Sequence, residues 1–126
     1  MQLGYTILYV DDVAKTLAFY EQAFGLSRRF LHESGAYGEL ETGATTLAFT
    51  ARQMLQALGK HPQPPQLEAP CFEIALTTPE VSSAVARAIA AGAQLQQAPQ
   101  TMPWGQTIAY VTDCNGFWVE ICTPMA

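Results

Sequence analysis

Apolar positions along this chain change period twice, in the same order each time. Residues 3–10, LGYTILYV, form a short β-rich run. Asp11 and Asp12 then offer carboxylates to the free amides of a first helical turn. Val13, Leu17, Tyr20 and Phe24 follow at i, i+4, i+7 and i+11, one stripe of an amphipathic helix, and Gly25 supplies a left-handed stop. Three short β segments come next, SRRFLHE, AYGELE and TTLAFT, divided by turns at Ser34-Gly35 and Thr42-Gly43-Ala44. Residues 51–60 have room for a short helix, and His61–Pro70, with four prolines, is a linker.

The order then repeats. CFEIAL (residues 71–76) predicts a strand; Thr77 and Glu80 fit a capping box, with Pro79 in the first turn. Val81, Val85 and Ile89 make the helical stripe and Gly92 the stop. AQLQQAP, GQTIAYVT and FWVEIC predict three strands, the last two joined by a tight turn at Asp113-Cys114-Asn115-Gly116. Gly25 to Gly38 and Gly92 to Gly105 are both 13 residues apart, each second glycine following an aromatic, Tyr37 or Trp104. The expectation is an α+β fold of two pseudo-symmetric βαβββ modules, residues 1–59 and 71–126, joined by the proline-rich segment 60–70 in a single domain.

Composition narrows the partners. Hydrophobic residues are 49% of the 126 and charged residues 13%, which marks a core-forming chain with apolar surface left to cover. The net charge of -5 argues against nucleic acid and anionic membranes and favours cations. Cys71, Cys114 and Cys122 lack paired spacing and read as reduced thiols; with no leader-like start and no long apolar run, a cytoplasmic location is expected.

The segments YTILYVDDVAKTLAFYEQAFGL, YGELETGATTLAF, EIALTTPEVSSAVARAIAAGA and PWGQTIAYVTDCNGFWVEI, in this order, resemble the vicinal oxygen chelate superfamily, which includes glyoxalase I, extradiol dioxygenases and bleomycin-resistance proteins. The resemblance implies sheets curled into a half-open cup with helices outside, the site in the concavity, and a homodimer. It also implies metal-ligand positions on the first and last strands of each module, here Tyr5, Ala48, Glu73 and Glu120. Strand alternation agrees: Leu8 and Val10 pack inward, so Tyr5, Ile7 and Tyr9 face the other way, as do Glu73 and Ala75 in CFEIAL and Trp118, Glu120 and Cys122 in FWVEIC.

A transition metal takes three or four ligands, imidazole being favoured. Here Ala48 has no donor, Tyr5 is a weak one, His61 lies in the linker and His32 on a middle strand, so no cofactor is expected. Glu73 and Glu120 remain as candidate ligand-binding or acid–base groups, with Tyr5, Ile7, Tyr9, Tyr37, Ala48, Trp104 and Trp118 as lining. Trp104, between proline and glycine, is the candidate pocket lip and Tyr37 its counterpart. The competing structural reading pairs the two glutamates with Arg28, Arg29 or another internal partner. Two functions are weighed: a metal-free binder of a small organic molecule, cationic or aromatic, and a metal-dependent lyase or dioxygenase holding its metal through Glu73 and Glu120.

Overall fold

In a computed structural model, which describes residues 1–125, the chain divides into two compact units, residues 1–21 with 25–64 and residues 22–24 with 65 onwards. Each carries one four-stranded mixed sheet.

In the first, β1 (Tyr5–Val10), β2 (Ser27–Leu31), β3 (Tyr37–Glu41) and β4 (Thr46–Ala51) lie in the order β1-β4-β3-β2. β1 runs parallel to β4, and the other pairs are antiparallel. Helix α1 (Val13–Phe24) begins where the Asp12 carboxylate accepts from Lys15 N at 3.0 Å and ends at Gly25, whose φ of 69° suits a residue without a Cβ. Its stripe Val13, Leu17 and Tyr20 is buried, and the Tyr20 ring meets Phe49 at 5.0 Å between centroids. The helix comes so close to the sheet that a Cβ on Gly38 would stand 2.6 Å from Leu17 Cδ1. A short helix, α2 (Arg52–Ala57), follows β4.

The second sheet is built alike, in the order β5-β8-β7-β6 from β5 (Ile74–Thr77), β6 (Gln94–Thr101), β7 (Thr107–Thr112) and β8 (Trp118–Cys122). β5 is parallel to β8. Helix α3 (Val81–Ala90) lies against this sheet. The β7–β8 turn is fixed by Asp113, whose buried Oδ1 accepts from Asn115 N at 2.9 Å and Phe117 N at 2.8 Å, with Gly116 at φ 98°. Counting back equally from that turn sets Tyr110 opposite Glu120.

Five sequence expectations shift. The strand expected from Cys71 starts at Ile74, so Glu73 precedes the ladder. Thr77 does not cap α3, because it is still paired with Cys122; Pro79 holds the residue before it extended, and the helix starts at Val81. Thr78 Oγ1 instead accepts from Glu80 N at 3.2 Å. The buried stripe of α3 is Val81, Val85 and Ala88, with Ile89 43% exposed. His32 lies in the β2–β3 turn rather than on a strand; its Nδ1 accepts from Ser34 N at 3.0 Å. Finally, Gly38 lies within β3 but Gly105 lies in the turn before β7, so equal glycine spacing does not make Trp104 the counterpart of Tyr37. By register that counterpart is Ile108, because Tyr37 pairs with Thr50 and Ile108 with Cys122.

Candidate functional site

The packed face of each sheet is apolar; the opposite face carries the chemistry. On the second sheet, alternation and the Asp113 turn bring Tyr110 of β7 beside Glu120 of β8, with Trp118 and Cys122 two residues to either side. Tyr110 Oη donates to Glu120 Oε1 at 3.3 Å and is also within hydrogen-bonding reach of Glu73. The phenolic proton goes to Glu120, with the Glu73 carboxylate close enough to act on both groups. Among the described residues no Lys, Arg or His forms an ion pair with Glu73 or Glu120.

The electrostatics follow. The Glu73 carboxyl is raised above its ordinary value, first by local shielding from water and then by the Glu120 charge, with the Tyr110 hydrogen bond pulling it partly back. Tyr110 is pushed up to about 12 by burial, the charges of Glu120 and Glu73, and its hydrogen bonds to them. At neutral pH it is a committed donor. The Cys122 thiol is also raised, by burial and then by Glu120, which keeps it un-ionised and unsuited to nucleophilic attack.

Aromatic surface borders the acidic pair. Trp118 meets Tyr110 edge to face at 5.7 Å, and its indole N–H donates to Leu67 O at 3.0 Å, holding the proline-rich segment across that edge of the sheet. A cleft of about 250 Å³ opens there, lined by Pro70, Cys71, Phe72, Glu73 and Trp118.

The remaining candidates lie elsewhere. Tyr5, Ile7 and Tyr9 are 57%, 45% and 38% exposed along β1 of the first sheet. Ala48, flanked by Ile7 and Glu39, is fully buried. Tyr37 Oη donates to Glu39 Oε2 at 2.7 Å, and burial followed by that carboxylate raises the phenol's pKa. Trp104 stands exposed in the β6–β7 turn, its indole N–H given to Gln106 Oε1 at 2.9 Å. The proposed arginine partners are engaged elsewhere: Arg28 with Glu21 at 3.0 Å, Arg29 with Glu39 at 3.5 Å and Glu41 at 3.7 Å. The internal partner of Glu73 and Glu120 is Tyr110, which the sequence reading missed. The signal was present in GQTIAYVT, where Tyr110 falls on the face opposite Ala109 and Val111.

The donor set does not suit a transition metal. Ala48 offers a methyl group, both histidines lie off the ladders, and the described residues contain no group of three His, Cys, Asp or Glu placed to hold an ion.

A family model described as Glyoxalase/Bleomycin resistance protein/Dioxygenase superfamily matches residues 2–121. Among solved structures, a glyoxalase-related enzyme from Fulvimarina pelagi superposes with a TM-score of 0.84 at 24% identity, over 98% of this chain and 88% of the other. A glyoxalase/bleomycin resistance protein/dioxygenase family enzyme from Burkholderia phytofirmans PsJN gives 0.76 at 26%, over 99% and 100%. A superfamily member from Sphaerobacter thermophilus DSM 20745 gives 0.73 at 19%, over 98% of each. No curated protein matches the chain.

Proposed function

This chain belongs to the Glyoxalase/Bleomycin resistance protein/Dioxygenase superfamily, and from that premise we propose that it is a metal-free binder of a small organic molecule bearing a cationic group. One observation carries the reading: Tyr110 donates to Glu120 with the Glu73 carboxylate close enough to act on both, and no cation of the described chain is paired to either glutamate. Two adjacent carboxylates are costly to ionise together unless a positive charge joins them. A ligand ammonium or amidinium supplies that charge and gains charge-assisted hydrogen bonds. Trp118 and Phe72 line the cleft of about 250 Å³ beside Glu73 and offer aromatic surface to a cation there, and that volume accommodates a compact aromatic amine better than a polymer.

The test uses benzylammonium as probe and benzyl alcohol as its uncharged comparison, with calorimetry and thermal melting as readouts. The cation is expected to raise the melting temperature by mass action and the alcohol to leave it unchanged. Glu120→Gln is expected to weaken the cation about tenfold or more, the loss of roughly 1.4 kcal/mol or above. Unchanged affinity in a folded Glu120→Gln variant would remove the carboxylate from the binding role.

A further inference from the structure

Both sheets interrupt their ladder at the same place. Between β2 and β3 the pairing jumps from Arg28–Leu40 to Phe30–Glu39, leaving Arg29 as the extra residue of a β-bulge. Between β6 and β7 it jumps from Leu95–Val111 to Gln97–Tyr110, leaving Gln96 as the extra residue. Glu39 and Tyr110 are register equivalents, since one faces Ala48 on the last strand of its sheet and the other faces Glu120. Arg29 and Gln96 therefore occupy the same position in two copies of one unit.

A bulge re-aims its extra side chain. Arg29 is aimed along its sheet face to Glu39, whose side chain is only 15% exposed, and to Glu41. The first sheet thus balances its carboxylates from within. Gln96 is aimed the same way: its Nε2 donates to Thr112 Oγ1 at 3.2 Å, and Thr112 stands opposite Trp118, on the face that holds Tyr110 and Glu120. The position from which an internal guanidinium would balance the second sheet carries a neutral amide. One strand, β7, separates it from Glu120, two strand spacings or about 10 Å, which an arginine and a glutamate span tip to tip.

We propose that Gln96 is the specificity-determining residue of the second sheet: an uncharged side chain at the bulge leaves Glu73 and Glu120 open to the cation of a ligand. This deepens the cation-binding reading and rests on it. The raised Glu73 carboxyl, whose causes include no cation, accords with an unbalanced face.

The deciding experiment places a cation at the bulge with Gln96→Arg, uses Gln96→Met as the uncharged comparison, and reads two quantities in the full chain. Calorimetry with benzylammonium measures binding, and ¹³C-detected titration follows the Glu73 carboxyl. Gln96→Arg is expected to weaken the probe about tenfold or more and to lower the Glu73 titration. Gln96→Met is expected to stay within about threefold of wild type and to leave that titration in place. A folded Gln96→Arg that binds like wild type with Glu73 unmoved overturns the proposal, as does a Gln96→Met as damaging as the arginine. If wild type itself ignores the probe, the cation-binding reading fails, and the Glu73 titration alone judges Gln96: a fall supports its control of the charge, no change refutes it. Should the arginine variant not fold, Gln96→Lys places the same charge at the bulge, and the same results support or overturn the proposal.

Discussion

At the scale of single residues, Tyr110 and Glu73 set the pH behaviour. The Glu73 carboxyl is raised in the folded chain, so the native state holds its proton more tightly than the unfolded state does. The corresponding stability is complete below the ordinary glutamate value and is lost as pH rises through the raised one. Glu73→Gln is therefore expected to match wild type in acid and to become the more stable of the two toward neutrality, read as the difference between their melting temperatures across pH 4–8. Tyr110→Phe removes the hydrogen bond that opposes the shift, so it should steepen the wild-type decline and cost about 1 kcal/mol, the net worth of one hydrogen bond. Equal slopes in all three proteins would show that the cluster does not titrate as a unit. The two glutamates were legible in the sequence because the family resemblance pointed to their positions and alternation along CFEIAL and FWVEIC agreed. Tyr110 was not singled out, because its role depends on pairing across a hairpin rather than on its own neighbours.

At the scale of elements, helices and hairpins were legible where local chemistry decided them. Asp12, Gly25 and the Asp113-Cys114-Asn115-Gly116 turn act within a few residues of themselves, and each does what its side chain or missing Cβ dictates. The start of α3 was misread because Thr77 has two local options and tertiary pairing with Cys122 took it for the sheet. The bulges at Arg29 and Gln96 left no local mark, since only the partner strand's register reveals an extra residue. Gly38 is a different case: the sequence marks it as a glycine, but the reason is its distance from α1. Adding a Cβ puts it 2.6 Å from Leu17 Cδ1 and 3.0 Å from Val13 Cγ1, both in fully packed side chains. Gly38→Ala should destabilise the chain by about 1–3 kcal/mol, the usual cost of overpacking, measured by denaturant unfolding. A wild-type midpoint would mean that α1 can retreat from the sheet freely.

At the scale of the whole molecule, the family's metal chemistry and this chain's donors part company. Repetition of the βαβββ unit supplies four equivalent strand positions, and this chain fills them with Tyr5, Ala48, Glu73 and Glu120. Of its two histidines, His32 is engaged with Ser34 in a turn and His61 lies in the proline-rich segment, so neither brings imidazole to a ladder. Two carboxylates and a phenol held un-ionised to about pH 12 form a hard, sparse donor set, too few for tetrahedral zinc and without the imidazole that nickel and iron prefer. The net charge of -5 nevertheless attracts any cation at low ionic strength, and that attraction must be separated from coordination. Screening does so, because the Debye length is about 8 Å at 0.15 M salt and exposed charges then act only on near neighbours. Untagged protein purified without chelator and challenged with nickel, iron, zinc or manganese at 0.15 M salt is expected to retain far less than one equivalent by elemental analysis. Its melting temperature should stay at the metal-free value. One retained equivalent, lost in Glu120→Ala, would make the glutamates metal ligands and restore the enzymatic reading; binding seen only at low salt would be the molecule's field acting on a counter-ion.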